Sequence, residues 1–210
     1  MDPIKLSVLV CGIPERITTA LPDKPAVAEI LLDDLSKQAV GKPVEILYLL
    51  DNLKMTVGRK RSVLLSIAQG EWFTFVDDDD AVAPTYISRL LAATDEAPPD
   101  TGVICFGQEC HHADTGEIEH CTYGLGWPYE KCQTYPGDNP SKEYDWRGLP
   151  AHTMCWRTDA VQSIEFPSGN FQEDVGWVAK ACEVVKVDCR IPDVLYYYRF
   201  DPKTSRTREG

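Results

Sequence analysis

The chain has 210 residues, 43% hydrophobic and 26% charged, an ordinary balance for one globular domain with a sizeable core. Its 33 acidic and 21 basic residues give a net charge of −12. Such a surface repels nucleic acid, anionic membranes and free anionic substrates at long range, so a polyphosphate ligand would need a local cation.

No apolar run approaches the roughly 20 residues of a membrane span. The start, MDPIKLSVLV, lacks the basic region and cleavage site of a signal peptide. Eight scattered cysteines in a chain of this size fit reduced thiols and a cytoplasmic setting better than a disulfide framework.

In chain order, Lys5 to Val10 reads as a buried strand ending in a turn, Cys11-Gly12-Ile13-Pro14-Glu15-Arg16. Ala26 to Val40 reads as an amphipathic helix through Val27, Ile30, Leu31 and Leu35, with Gly41 as its cap. Val44 to Leu50 is a second buried strand, ending in Asp51-Asn52. Gly58-Arg59-Lys60-Arg61 opens a helix to Gln69 with Leu64, Ile67 and Ala68 inward, and Gly70 stops it. Trp72, Phe73, Phe75 and Val76 form a third buried strand. Four consecutive aspartates, Asp77 to Asp80, follow it directly. Pro84 then opens a helix through Tyr86, Ile87, Leu90 and Leu91.

This alternation predicts an α/β fold with a mostly parallel central sheet and helices on both faces. In such sheets ligands bind at the carboxyl ends of the strands. Three of those ends carry polar groups here: the turn of Pro14, Glu15 and Arg16, then Asp51, then the aspartate run. Four adjacent carboxylates repel one another. A hard divalent cation such as Mg²⁺ or Mn²⁺ would relieve that repulsion and keep positions open for phosphate.

The second half is less regular. Val103 to His112 and Glu117 to Tyr123 read as a small antiparallel hairpin around Asp114-Thr115-Gly116. A turn centred on Thr115-Gly116 sets Cys110 opposite Cys121 and His111 opposite His120. A zinc site from these four matches no standard finger spacing, and a structural hairpin is the preferred reading. Gly124 to Pro150 carries Trp127, Tyr129, Tyr135, Tyr144 and Trp146 without periodicity, which fits a binding loop or local packing over the core. His152 to Arg157 precedes a helix around Asp159 to Ser163. Glu173 and Asp174 open a helix through Val175, Val178, Ala179, Cys182 and Val185. Acidic residues are common there because they complement the helix dipole. Lys186 to Arg190 and Leu195 to Phe200 are the last strands, before a polar tail from Asp201 to Gly210.

Four segments, in this order, resemble the small, soluble GT-A glycosyltransferases of the family-two type: LSVLVCGIPER, GRKRSVLLSIAQGEWFTFVDDDD, QEDVGW and LYYYRFDPKTS. The resemblance implies one GT-A domain over 1–210, with a nucleotide-sugar-binding half (1–100) and an acceptor-binding half (101–200). It also implies a UDP-sugar donor, Mn²⁺ or Mg²⁺, and transfer with inversion. On this reading Pro14, Glu15, Arg16, Asp51, Arg59, Lys60, Arg61, Asp77 and Asp78 border the donor. Asp79 and Asp80 ligate the metal, and Asp201 stands where many relatives have a ligating His. Asp174 is the general base with Glu173 beside it. Trp127, Trp146, His152 and Trp177 face the acceptor, where His152 has either a contact or a structural role. The QxxRW signature of processive members is absent.

The acceptor expected first is a glycan or small molecule. Small relatives with an IPER-like start also occur in bacterial viruses, which brings in a hydroxymethylated DNA base and a host-cytoplasm setting. For DNA, Arg147, Arg157, Lys180, Lys203, Arg206 and Arg208 would have to share a face. A nucleotidyltransferase and a non-catalytic binding module are the rival readings. A P-loop enzyme is disfavoured by the absence of GxxxxGK.

Overall fold

In the computed structural model, which describes residues 3–14, 27–131 and 144–201, strand β1 (Leu6–Gly12) is buried at every position. A strand buried on both faces needs cover on both sides, as in α/β sheets. It lies between β2 (Val44–Leu50) and β3 (Trp72–Asp77), parallel to both. Leu6 pairs with Val44 and Trp72, and Cys11 with Leu49 and Asp77. The three strands therefore end side by side at Gly12, Leu50 and Asp77.

Helix α1 (Val27–Ala39) packs against β2 and against α3 (Tyr86–Glu96). Helix α2 (Val57–Ile67) packs on β1 and β2 and meets α5 (Glu173–Val184), which also touches the short α4 (Thr158–Val161). Among the described residues no helix is long and apolar enough to cross a membrane.

Beyond β3 the sheet continues through antiparallel parts. The three-residue β9 (Cys155–Arg157) lies antiparallel between β3 and β5 (Val103–His112), with Trp156 opposite both Phe73 and Val103. On its other side β5 runs parallel to β10 (Asp188–Phe200), which also pairs antiparallel with β4 (Ala81–Val82). The far end of β5 forms the hairpin with β6 (Ile118–Tyr123). Next to β6 come β8 (Trp146–Gly148) and β7 (Glu130–Lys131). One sheet thus runs through both halves of the chain, parallel at its centre and antiparallel towards the hairpin.

Trp177 seats α5 on this sheet. It is 0% exposed, stacks on Phe166 at 4.8 Å, meets Trp156 edge-on at 5.2 Å, and donates its indole N–H to the Ile164 carbonyl.

Four expectations need correction. Helix α1 buries Ala28, Leu31 and Leu35 and leaves Val27 and Ile30 outward. Helix α2 buries Lys60 and Arg61 with Leu64 and Leu65 and exposes Ile67, because ion pairs outrank apolar patterning there. The two last strands are one strand, β10, with irregular register between Arg190 and Tyr196, around Pro192. The hairpin register also differs: Cys110 faces Glu119, Glu109 faces His120, and Gln108 faces Cys121. The reason is the turn. Gly116 adopts φ +75° and its N–H donates to the His112 carbonyl, while His112 N–H donates to Glu117. Gly116 therefore ends a four-residue loop in the left-handed position glycine favours and does not sit at the loop's centre.

Candidate active site

The ends of β1, β2 and β3 are tied together by the buried face of α2. Lys60 is 1% exposed, and its ammonium donates to the Gly12 carbonyl at 2.7 Å and pairs with Asp51 at 2.5 Å. That ammonium, with the N–H groups of Met55 and Lys54, holds the Asp51 carboxyl down to about 2. Asp78, also buried, accepts the Ile13 N–H at 2.9 Å and fastens the end of β1 to the turn after β3. Arg61 is buried and forks: one nitrogen reaches Asp77 at 2.8 Å and the other Glu173 at 2.7 Å. Burial works against its charge, but Asp77 and Glu173 outweigh that and hold it firmly protonated. Burial would likewise raise the Asp77 pKa, yet Arg61 and His152 hold it well below the usual carboxylate range.

Asp80 is the opposite case. Its carboxylate accepts the Tyr196 hydroxyl at 2.6 Å and the Arg199 N–H at 2.8 Å. Burial first, then the charges of Asp77 and Asp79, push its pKa well above the ordinary value. Asp79 is half-buried, and Asp201 lies two residues beyond Arg199, at the end of β10. Among the described residues, no three of these carboxylates converge within 4.8 Å. A cation here would therefore find one or two hard oxygens from the protein and open positions for other oxygen ligands, an arrangement that Mg²⁺ accepts.

Across the cleft, α2 also holds the loop before α5. Val57 N–H donates to the Asn170 side chain, and Gly58 N–H to the Gly169 carbonyl. Gln172 then takes a left-handed conformation (φ 57°) before the first turn of α5. After that bend Glu173 points inward to Arg61, and Asp174 stands at the mouth with its side chain 36% exposed. Between the two acidic groups sits His152, largely buried. Its Nε2 is 3.5 Å from Asp77 and its Nδ1 is 3.5 Å from Asp174.

A 270 Å³ cavity opens here, lined by Arg61, Asp77, Asp80, Tyr196, His152 and Asp174 among others. His152 and Asp174 also line a second, more apolar cavity of 460 Å³ with Trp127, Tyr129, Leu149 and Val175.

The structure brings together Asp51, Lys60, Arg61, Asp77, Asp80, His152, Glu173 and Asp174. It moves others away. Arg59 is exposed and borders a separate depression with Ser62, Ser66 and Gln162. Lys60 faces Asp51 and the Gly12 carbonyl and not the open cleft, whereas Arg61 lines the cleft with its guanidinium already paired to Asp77 and Glu173. Trp177 is core and cannot touch an acceptor. Trp146 lies on β8, stacked on Tyr129 at 5.1 Å. Pro14 follows β1, whereas Glu15 and Arg16 lie outside the described residues. Of the basic residues considered for DNA, Arg147 pairs with Glu130 and Arg157 with Glu71 and Asp159. Lys203, Arg206 and Arg208 fall outside the described residues.

Sequence reasoning missed Tyr196, Gln108 and Asn170. The one available signal was the Tyr196-Tyr197-Tyr198 run, whose first and third members share a strand face. It became readable only once β10 was paired with β4.

Residues 27–153, more than half of the chain, match the family model described as glycosyl transferase family 2. Among solved structures, the crystal structure of S. aureus TarS 1–349 is similar at 22% identity with a TM-score of 0.56, covering 93% of this chain and 60% of that one. The same fragment in complex with UDP-GlcNAc matches at 19% and 0.54, covering 98% and 59%. The complex with UDP matches at 21% and 0.56, covering 95% and 61%. The chain thus spans about 60% of these fragments, and at such identity the likeness speaks for the fold alone. No curated protein matches.

Proposed function

The chain belongs to glycosyl transferase family 2, and from that premise we propose that it moves a sugar from a nucleoside-diphosphate donor to an acceptor hydroxyl, with inversion, at the cleft between β3 and α5. The observation that carries this reading is the line Asp77–His152–Asp174. A strand-end carboxylate and a helix-borne carboxylate stand on either side of one imidazole, 3.5 Å from each. The UDP and UDP-GlcNAc complexes of TarS favour uridine in the donor.

In this mechanism the donor lies along the ends of β1, β2 and β3, bordered by Asp51, Asp77 and Asp78. Asp79 and Asp80 would hold a Mn²⁺ or Mg²⁺ ion, with Asp201 as a third candidate. Bound there, such an ion neutralises the charge that grows on the leaving diphosphate.

The acceptor oxygen attacks the anomeric carbon from the face opposite the diphosphate. The carbon–oxygen bond to the diphosphate breaks, its electron pair leaves with the nucleotide, and the acceptor proton passes to Asp174. A hydroxyl is a poor nucleophile at neutral pH, so a carboxylate in hydrogen-bond reach contributes roughly 10²–10⁴ in rate. Glu173 and Arg61 position Asp174 by fixing the first turn of α5, and His152 orients its carboxylate.

The apolar cavity with Trp127, Tyr129 and Leu149 would receive the body of the acceptor, because it shares His152 and Asp174 with the donor side. A glycan or small molecule fits better than DNA. The net charge is −12, and Arg147 and Arg157 are already paired with carboxylates.

The test is thermal unfolding with UDP, GDP, CDP and dTDP, with and without Mn²⁺, alongside turnover of the matching sugar nucleotides. A ligand at about 100 times its Kd stabilises by about 2.7 kcal/mol. A Mn²⁺-dependent shift with UDP should appear in the wild type and vanish in Asp79→Ala. Asp174→Asn should keep the shift and lose about 10²–10⁴ in turnover. Full turnover in Asp174→Asn would remove the base assignment, and an undiminished shift in Asp79→Ala the cation assignment.

A further inference from the structure

The observed register of the β5–β6 hairpin assembles a side-chain group outside the donor cleft. Cys110 and His112 stand on one face of β5, and Glu119 is directly opposite Cys110 on β6. Cys110 Sγ is 3.5 Å from His112 Nε2, and Glu119 Oε2 is 3.0 Å from that same nitrogen. All three candidate donor atoms lie within 4.8 Å of one another, and among the described residues no other group of three does so.

Two features set this group apart from a chance hydrogen-bond network. A neutral imidazole nitrogen offers one proton or one lone pair, yet the thiol and the carboxylate both converge on Nε2. A chain of hydrogen bonds would use both ring nitrogens. A cation at the centre of the three serves all of them at once. Tetrahedral zinc, with bonds of about 2.3 Å to sulfur and about 2.0–2.1 Å to nitrogen and oxygen, sets sulfur and nitrogen about 3.5 Å apart and nitrogen and oxygen about 3.3 Å apart. The observed 3.5 and 3.0 Å lie close to that frame. The other oxygen of Glu119 accepts the Trp146 indole N–H at 2.9 Å, which leaves Oε2 aimed at the centre. Outer contacts of this kind orient ligands in metal sites.

We propose that Cys110, His112 and Glu119 bind a zinc-class divalent cation through three protein ligands, with a fourth position left for water. The thiolate selects zinc over the hard cations that oxygen-only ligands take. The site is therefore chemically separate from Asp79 and Asp80. It lies beside the cleft, since Gln108, two residues back along the same face of β5, lines the 270 Å³ cavity. An ion here would join β5 to β6 and, through Trp146, to β8.

The experiment is a Co²⁺ titration of the whole protein without nucleotide, in excess Mg²⁺. A thiolate-to-cobalt charge-transfer band with tetrahedral d–d bands is expected, reversed by zinc. Cys110→Ser should abolish the band, and Cys182→Ser should keep it. Trp146→Phe should weaken binding by about 10–100-fold. X-ray absorption of the zinc-loaded wild type should give one sulfur with nitrogen and oxygen neighbours, a readout independent of whether any variant folds. No cobalt band in the wild type, a band surviving in Cys110→Ser, or a zinc shell without sulfur would overturn the proposal. None of these results bears on the tests of Asp79 and Asp174.

Discussion

Asp80 stands under opposed demands. Its carboxylate is satisfied by Tyr196 and Arg199, yet it sits where burial and neighbouring carboxylates disfavour its charge. An acid whose pKa is raised by folding costs stability as pH rises from about 4 through its folded value. Asp80→Asn leaves the Tyr196 hydroxyl without its acceptor at every pH, but its melting temperature should gain on the wild type as pH rises from about 3 to 7, by about 2–4 °C for each kcal/mol relieved. The same change should weaken the Mn²⁺-dependent UDP shift. Melting curves across pH, with and without ligand, check both. Asp51 has the opposite sign. Held down to about 2 by Lys60, it contributes stability that is fully present above about pH 4 and is lost as pH falls from there through about 2. The aspartate run was legible in the sequence as a run. The separate roles of Asp77, Asp78 and Asp80 were not, because each is set by a partner 16 to 119 residues away. The basic run misled for a related reason. Successive helix positions turn by about 100°, so Arg59 faces solvent while Lys60 and Arg61 face carboxylates.

At the scale of elements, α2 is the brace between the strand ends and the loop that leads into α5 and Asp174. Its closest approach is at Gly58, where an added Cβ would lie 2.0 Å from the Pro167 carbonyl oxygen. In an ordinary helix interior, Gly→Ala stabilises by about 1 kcal/mol. Here overpacking should reverse the sign, destabilising by about 1–3 kcal/mol and lowering turnover as the 167–172 loop shifts. Denaturant unfolding and kcat of Gly58→Ala test this, and a stabilised variant would contradict the brace. The series β1, α1, β2, α2, β3 was readable because each element carries its own period, cap or apolar run. The three-residue β9 was not, since Cys155–Arg157 is a strand only by virtue of the β3 and β5 edges on either side. The hairpin existed in the sequence, but its register depended on where Gly116 falls in the turn.

The whole molecule carries −12, and that sets the sign of its salt response. With no divalent cation present, raising the salt concentration should tighten nucleoside-diphosphate binding by screening repulsion. A DNA-binding enzyme would lose acceptor affinity steeply over the same range. Titrations at low and physiological salt separate the two. Fold class and the position of the cleft followed from alternation and charge. The way the two halves share one sheet did not, because β9 and β10 return from far along the chain. That return has a consequence during synthesis. The groups that hold Asp80 lie 116 and 119 residues after it. At about 5–20 residues per second, a ribosome needs roughly 6–23 s to make the first of them. Throughout that interval the aspartate corner is on the nascent chain without Tyr196 or Arg199, so a prematurely terminated product that ends before β10 would carry the acidic motif but not the partners that hold Asp80 in place.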